Sequence, residues 1–86
     1  MSVCPDYRAF GENLRALRKN KLRQTQEQFA SYVLMDRSYI SGLERGHRNP
    51  TLEIIVRLAQ GLGVHPSELL KPLPQAPAMT AAESLG

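Results

Sequence analysis

The chain has 86 residues, which is enough for one small domain but leaves little room for a second hydrophobic core or a deep catalytic cleft. Its composition, 42% hydrophobic and 22% charged, is typical of a folded globular protein. The single cysteine, Cys4, excludes an intrachain disulfide and a Cys-x-x-Cys metal or redox pair. Because no signal-like segment and no run of ~20 apolar residues is present, the sequence predicts a cytoplasmic protein.

Positive charge is concentrated in one part of the chain. Residues 1–50 contain nine Lys and Arg against five Asp and Glu, whereas residues 51–86 contain two against three, so the total of +3 divides into +4 and −1. This asymmetry is expected of a protein that turns one half towards phosphate groups and uses the other half for assembly. A solvated cationic helix surface would give the same pattern, so charge alone leaves both interpretations open.

The spacing of apolar residues predicts helices throughout, and no segment alternates as a strand would. The first helix is expected to begin after Asp6 as its N-cap. Its inward face repeats apolar residues at spacings of three and four: Tyr7, Phe10, Leu14 and Leu17. Its other face is expected to carry four basic residues: Arg8, Arg15, Arg18 and Lys19.

A capping box predicts the start of a second, short helix. The Thr25 hydroxyl can accept a hydrogen bond from the backbone N–H of Gln28, while the Gln28 side chain can accept one from the N–H of Thr25. Because Asp36 is the next good N-cap, this helix is only about two turns long. Three of its residues are expected to be buried: Phe29, Ala30 and Val33.

A third helix is predicted from Arg37 to about Arg45, with Gly46 supplying the left-handed residue that ends it. Ile40 and Leu43 are expected to point into the core. The 3.6-residue period then places five residues on the opposite surface, where they are candidates to face a DNA groove: Arg37, Ser38, Ser41, Gly42 and Arg45.

A fourth helix is predicted between Thr51 as its N-cap and Gly63 as its end. Its inward residues are expected to be Leu52, Ile55, Leu58, Ala59 and Leu62. A short fifth helix would begin at Pro66, where the missing N–H costs nothing. The prediction is therefore an all-α, five-helix domain over residues 6–71, followed by a disordered tail over residues 72–86, which prolines interrupt.

The second and third predicted helices, joined by a tight turn and flanked by further helices, form the arrangement that presents a helix to the major groove of DNA. This helix-turn-helix covers approximately residues 25–45. Arg37 lies at the helix end that enters the groove deepest, and its guanidinium can donate two hydrogen bonds to guanine O6 and N7. Ser38 and Ser41 can contact base edges or phosphates but cannot specify one base. The sequence thus predicts a transcriptional regulator that binds double-stranded DNA.

Two residues of the third helix have two interpretations each. Gly42 costs about 1 kcal/mol relative to Ala inside a helix, and either close approach to DNA or close packing against the first helix would explain it. The Tyr39 ring can contact a thymine methyl group or its hydroxyl can bind a phosphate. A half-buried packing tyrosine fits the position of Tyr39 equally well.

Three residues outside the third helix are predicted to hold the DNA backbone. Gln26 lies in the first turn of the second helix, where its amide and the free backbone N–H groups are expected to point outward together. Arg48 and Asn49, in the loop after the third helix, are expected to do the same from the other side. Such contacts fix the register of the protein while the third helix distinguishes bases.

Three segments carry a family resemblance: TQEQFA at 25–30, DRSYISGLERG at 36–46 and RNPTL at 48–52. They resemble the Cro/repressor-type helix-turn-helix family, also called the XRE family, over about residues 8–70, and within it the small controller proteins of restriction–modification systems. The resemblance implies a five-helix homodimer that binds a pseudo-palindrome, with RNA polymerase as a further possible partner. The implied DNA contacts are Gln26, Arg37, Ser38, Tyr39, Ser41, Arg48 and Asn49.

The resemblance also implies an ion pair between Glu44 and an arginine of the first helix, Arg18, which would be structural. The sequence departs from the family pattern at two places. Leu34 stands in the turn where Gly or Asn is common, and a branched side chain held left-handed costs roughly 1–2 kcal/mol, so a slightly different turn is expected. The segment from Lys19 to Gln24 is one residue longer than the commonest spacing, which leaves open whether Arg18 or Lys19 meets Glu44.

A homodimer is also predicted from the fourth helix, which is apolar on more than one side and therefore needs a second partner for burial. The predicted interface consists of Ile54, Val56, Val64, Leu69 and Leu70. The alternative is that these residues simply close the core of the monomer.

Other chemistry is disfavoured. His47 and His65 are far apart and lack a cysteine or carboxylate cluster, so no metal site is predicted. Cys4 has no histidine near it in sequence, and no glycine-rich phosphate loop is present, so neither an enzyme nor a cofactor is predicted. The competing hypothesis is an antitoxin-like or protein-interaction module on the same scaffold. Three cationic residues on one surface favour DNA binding over this hypothesis: Arg37, Arg45 and Arg48.

Overall fold

The computed structural model describes residues 4–71, and these are helical with short connections. Four α-helices follow one another: α1 Pro5–Leu17, α2 Gln26–Val33, α3 Arg37–Glu44 and α4 Leu52–Leu62. A π-helical turn, Arg18–Leu22, continues α1, and a 3-10 helix, Pro66–Leu70, follows α4. The all-α prediction is confirmed, but the predicted fifth α-helix is a 3-10 helix, a form that suits such short segments. The predicted tail, residues 72–86, lies outside the described residues.

The start of α1 differs from the prediction. Cys4 is the N-cap, Pro5 occupies the first helical position, and the Arg8 N–H donates to the Cys4 carbonyl at 3.0 Å. Proline is favoured at this position because its fixed φ suits a helix and its missing N–H would have had no partner there. Asp6 is therefore not the cap but a residue of the first turn, where its charge complements the helix dipole.

The extra residue between the first two helices is accommodated by the π-helical turn. The Gln24 N–H donates to the Arg18 carbonyl at 3.3 Å, and Arg23 ends the turn in the left-handed region at φ 55°. A π turn inserts a residue into a helical path without changing the residues before it. Arg18 consequently stays on the inner side, whereas Lys19 is exposed.

The predicted threonine caps are confirmed. Thr25 Oγ1 accepts from the Gln28 N–H at 3.1 Å, and the Thr25 N–H donates to Gln28 Oε1 at 2.9 Å. Thr51 Oγ1 accepts from the Ile54 N–H at 3.2 Å, and Gly63 ends α4 at φ 69° as predicted. These short-range hydrogen bonds satisfy N–H groups that a helix leaves free at its start.

The turn between α2 and α3 keeps a left-handed residue even though that residue is Leu34, with φ 58° and ψ 46°. The Met35 N–H donates to the Ala30 carbonyl at 2.9 Å, and Arg57 donates to the Leu34 carbonyl at 3.1 Å. The Leu34 side chain is 80% exposed, so no burial offsets the conformational cost of roughly 1–2 kcal/mol.

One hydrophobic core lies between the helices. Its fully buried large side chains are Phe10, Leu14, Phe29, Ile40, Leu43, Leu58, Leu62 and Leu69. The predicted Ala30, Val33 and Ala59 are also buried. Gly11 lets α1 and α3 approach closely, since a Cβ atom there would lie 2.3 Å from the Leu43 carbonyl oxygen.

Two predictions for the C-terminal half are wrong. Leu52 is 75% exposed because it lies at the first position of α4 and at the edge of its apolar face. Leu69, predicted at a dimer interface, is fully buried within the single chain because the 3-10 helix packs against α1 and α4. Within residues 4–71, no helix is long and apolar enough to cross a membrane.

Candidate nucleic-acid interface

A buried ion pair fixes the position of α3. Arg18 Nε lies 2.6 Å from Glu44 Oε2, Arg18 Nη2 donates to Glu44 Oε1 at 2.9 Å, and Arg18 Nη1 donates to the Gln24 carbonyl at 2.6 Å. The two residues are only 6% and 7% exposed. The implied Arg18–Glu44 pair is confirmed, and Lys19 is not the partner. Because unpairing a buried charge is strongly unfavourable, this contact holds the last turn of α3 against the end of α1.

Gln26 belongs partly to the same network. Its Nε2 donates to Glu44 Oε1 at 2.9 Å, and the residue is half-buried. The prediction that its amide points outward is therefore wrong, because the Glu44 carboxylate lies within reach of the first turn of α2. Gln26 still borders an open cleft of about 360 Å³, lined by Arg18, Lys19, Thr25, Gln26, Glu27 and Arg37.

Lys19 is a basic residue of this cleft that the sequence analysis does not include among the DNA contacts. The π-helical turn places it beside the starts of α2 and α3, so that Lys19 and Arg37 line the same opening. The one-residue excess in the segment from Lys19 to Gln24 was the available signal. The position of Lys19 follows from that extra residue only when the geometry of the π-helical turn is known.

Four of the five residues predicted on the outer surface of α3 are at least partly exposed. Arg37, Ser38 and Arg45 are exposed, and Ser41 is half-buried. Asp36 is the N-cap by position, but its carboxylate accepts from the Ser38 hydroxyl and not from a backbone N–H. The Ser38 hydroxyl proton therefore has a partner on the protein, which a hydrogen bond donated to DNA would have to replace, whereas its oxygen can still accept.

Gly42 does not lie on the exposed surface as predicted; it is buried beneath the Arg48 side chain. A Cβ atom on Gly42 would lie 2.9 Å from Arg48 Cγ, and its three nearest atoms all belong to Arg48. Close packing against the first helix is therefore not the explanation for Gly42, since Gly11 has that role. The Arg48 guanidinium carbon lies 5.9 Å from the centroid of the Tyr39 ring, which is itself half-buried against the core.

The remaining candidate residues have simple surroundings. Asn49 and His47 are exposed in the loop after α3. His65 caps the 3-10 helix, because its Nδ1 accepts from the Ser67 N–H at 3.1 Å. Cys4 is an exposed free thiol, and residues 4–71 contain no group of three or more metal-ligating side chains.

Apart from the fully buried Leu69, the predicted dimer residues divide into two groups. Val56 and Leu70 are 36% and 40% exposed, and the exposed Leu52 lies one helical turn before Val56. Ile54 and Val64 are half-buried and pack against the core. An apolar surface on the chain thus runs along Leu52 and Val56.

Comparison with known proteins agrees with this geometry. The family model described as helix-turn-helix matches residues 14–69. Control protein C.MunI from a Mycoplasma species is 43% identical over 60 residues, which are 70% of this chain and 81% of that protein. Control protein C.BamHI from Bacillus amyloliquefaciens is 41% identical over 61 residues, 71% of this chain and 75% of that protein.

Among solved structures, the restriction–modification controller protein C.AhdI from Aeromonas hydrophila superimposes with a TM-score of 0.70 and 45% identity. The match covers 74% of this chain and 96% of that one. The chain therefore belongs to the helix-turn-helix family of DNA-binding regulators. Within that class it is similar to the controller proteins of restriction–modification systems.

Proposed function

We propose that this protein binds a pseudo-palindromic operator as a homodimer and controls the transcription of restriction–modification genes. One observation carries the proposal: Arg37 stands exposed at the start of α3 while the buried Arg18–Glu44 pair fixes the helix behind it. A guanidinium on a fixed helix end can make the two-bonded contact with guanine that selects a base pair. The similarity to controller proteins supports the choice of target genes.

The proposed DNA contacts divide into two roles. Arg37 distinguishes bases, with Ser38, Tyr39, Ser41 and Arg45 beside it on α3. Arg48 and Asn49 hold the phosphate backbone. Gln26 joins them through the N–H of its amide that Glu44 does not use, and Lys19 adds a cation at the opening that Gln26 borders. Gly42, covered by Arg48, contributes through that side chain.

A second copy of the chain is proposed to cover the apolar surface of α4. Leu52 and Val56 lie one turn apart on its exposed edge, and Leu70 is also exposed; Ile54 and Val64 are the half-buried members of the proposed interface. A twofold axis through such a self-complementary surface places two copies of α3 on one face of the DNA. Residues 6–71 then serve as both the DNA-binding and the dimerisation domain.

Selection of bound sequences from a random pool of double-stranded DNA tests this proposal. Two inverted half-sites are expected. Binding to them should weaken steeply with salt: the logarithm of the association constant should fall against the logarithm of the salt concentration with a slope of about −0.9 for each phosphate contacted. A single half-site would contradict the homodimer. Binding that does not change with salt would contradict the DNA interface and favour an antitoxin-like interaction module.

The variant Arg37→Ala should relax the preference at one base pair in each half-site and cost about 1–3 kcal/mol of specific binding free energy. Arg8→Ala is the matched control, because it removes an arginine whose partner is the exposed Glu12 on α1. It should leave the selected sequence unchanged. If Arg37→Ala and Arg8→Ala selected the same sequences, Arg37 would not be a residue that distinguishes bases.

A further inference from the structure

We infer that Gly42 is a positioning residue. Its missing side chain leaves space on the surface of α3, and the Arg48 side chain occupies this space before DNA is bound. The inference rests on the proposed DNA-binding function, because it concerns how a DNA contact is held ready. Gly42 is not expected to touch DNA itself.

The backbone first brings Arg48 back to α3. Gly46 adopts φ 77°, its N–H donates to the Leu43 carbonyl at 3.1 Å, and the His47 N–H donates to the Gly42 carbonyl at 2.9 Å. These bonds reverse the chain directly after α3. The loop that follows therefore runs beside the helix it has just left.

The Arg48 side chain then crosses the helix surface. Its Cγ, Nε and Cδ atoms would lie 2.9, 3.3 and 3.7 Å from a Cβ atom on Gly42. Its guanidinium carbon is 5.9 Å from the centroid of the Tyr39 ring, within the range of a cation–π contact. The stem of Arg48 thus rests on Gly42, and its charged head lies over Tyr39.

Gly42 differs in this respect from Gly11. The atoms nearest to a Cβ on Gly11 belong to the backbone of α3, at 2.3 to 2.7 Å, so a side chain there would push two helices apart. The three atoms nearest to a Cβ on Gly42 all belong to the flexible, exposed side chain of Arg48, which can move away. Glycine destabilises a helix interior relative to alanine, so helix stability does not favour glycine at position 42.

The consequence concerns the entropy of binding. A long side chain that is free in solution loses rotamer freedom when it contacts DNA, whereas one already held against the protein loses less. The space beside Gly42 therefore lets the protein hold Arg48 in place, before binding, next to the residues of α3 that are proposed to face DNA.

The experiment is Gly42→Ala, measured with and without DNA. In the DNA-free protein, the Arg48 side-chain protons of the wild type should show a ring-current shift from Tyr39 by NMR, and this shift should disappear in Gly42→Ala. Affinity for the selected operator should fall about two- to tenfold, the range expected for ordering one more long side chain on association. The thermal midpoint should stay equal or rise, because alanine is the better helix former.

Arg48→Ala and the double variant provide the control. If Gly42 acts through Arg48, adding Gly42→Ala to Arg48→Ala should cause no further loss of affinity. The same loss in both backgrounds would mean that Gly42 approaches DNA directly, and a lower thermal midpoint would mean a packing role; either result overturns the inference. An unchanged affinity or an unchanged ring-current shift overturns it as well.

These outcomes separate the inference from the proposed function. If the wild-type protein binds no DNA, the proposed function fails regardless of the NMR result. If the wild type binds its operator and Gly42→Ala binds equally well, only the inference fails.

Discussion

Two arginines contact α3 from different sides, and burial gives them different roles. Arg18 is 6% exposed and is held by the Glu44 carboxylate and the Gln24 carbonyl. Arg48 is exposed, and its head lies over the Tyr39 ring. A buried charge cannot leave its partner without a large desolvation penalty, whereas an exposed one can exchange a weak contact for a phosphate or a base. The first therefore fixes the helix, and the second remains available for a ligand.

The largest effect is expected from breaking the buried contact between Arg18 and Glu44. Glu44→Gln leaves the Arg18 charge buried without a counter-charge and should lower the free energy of unfolding by about 3–5 kcal/mol in urea denaturation. Glu12→Gln is the matched control, because it removes a carboxylate from the exposed Arg8–Glu12 pair, whose side chains are 71% and 67% exposed. The control should cost less than about 1 kcal/mol. Similar losses in both variants would contradict the distinction by burial.

A smaller effect is expected where α1 and α3 meet. Gly11→Ala places a Cβ atom 2.3 Å from the Leu43 carbonyl oxygen, and the helices must separate to accept it. The expected loss is about 1–3 kcal/mol of unfolding free energy, as for other overpacked sites. Gly42→Ala serves as the control because the atoms nearest to its Cβ belong to the movable Arg48 side chain and not to a helix backbone. If Gly42→Ala also lowered the unfolding free energy, the assignment of a positioning role to Gly42 would be wrong.

The smallest effect is expected at Leu34, in the turn between α2 and α3. Leu34→Gly relieves a left-handed leucine whose side chain is 80% exposed, and it should raise the unfolding free energy by about 0.5–1 kcal/mol after the extra chain entropy of glycine is subtracted. Leu34→Ala is the control, because alanine also disfavours this conformation. Thermal denaturation of the two variants measures the difference, and an equal gain from alanine would show that backbone strain is not the cause.

Features governed by neighbours in the chain could be predicted from sequence. The Thr25 and Thr51 caps and the end of α4 at Gly63 depend on groups within four residues of one another. The inward placement of Ile40 and Leu43 follows from the helix period alone. The start of α1 is ambiguous from sequence, because two acceptable N-terminal signals, Pro5 and Asp6, stand next to each other.

The residue pattern alone thus predicts an all-helical domain, a helix-turn-helix over approximately residues 25–45, and an outward-facing Arg37 at the start of its second helix, and residues 4–71 agree with it. Contacts between separate elements turn the Gln26 amide towards Glu44 and place Arg48 over Gly42. The same kind of contact buries Leu69 in the core of the single chain, while Leu52 remains exposed. Each of these outcomes depends on residues from separate elements that come within a few ångströms of each other, and periodicity along one helix carries no information about what lies across from it.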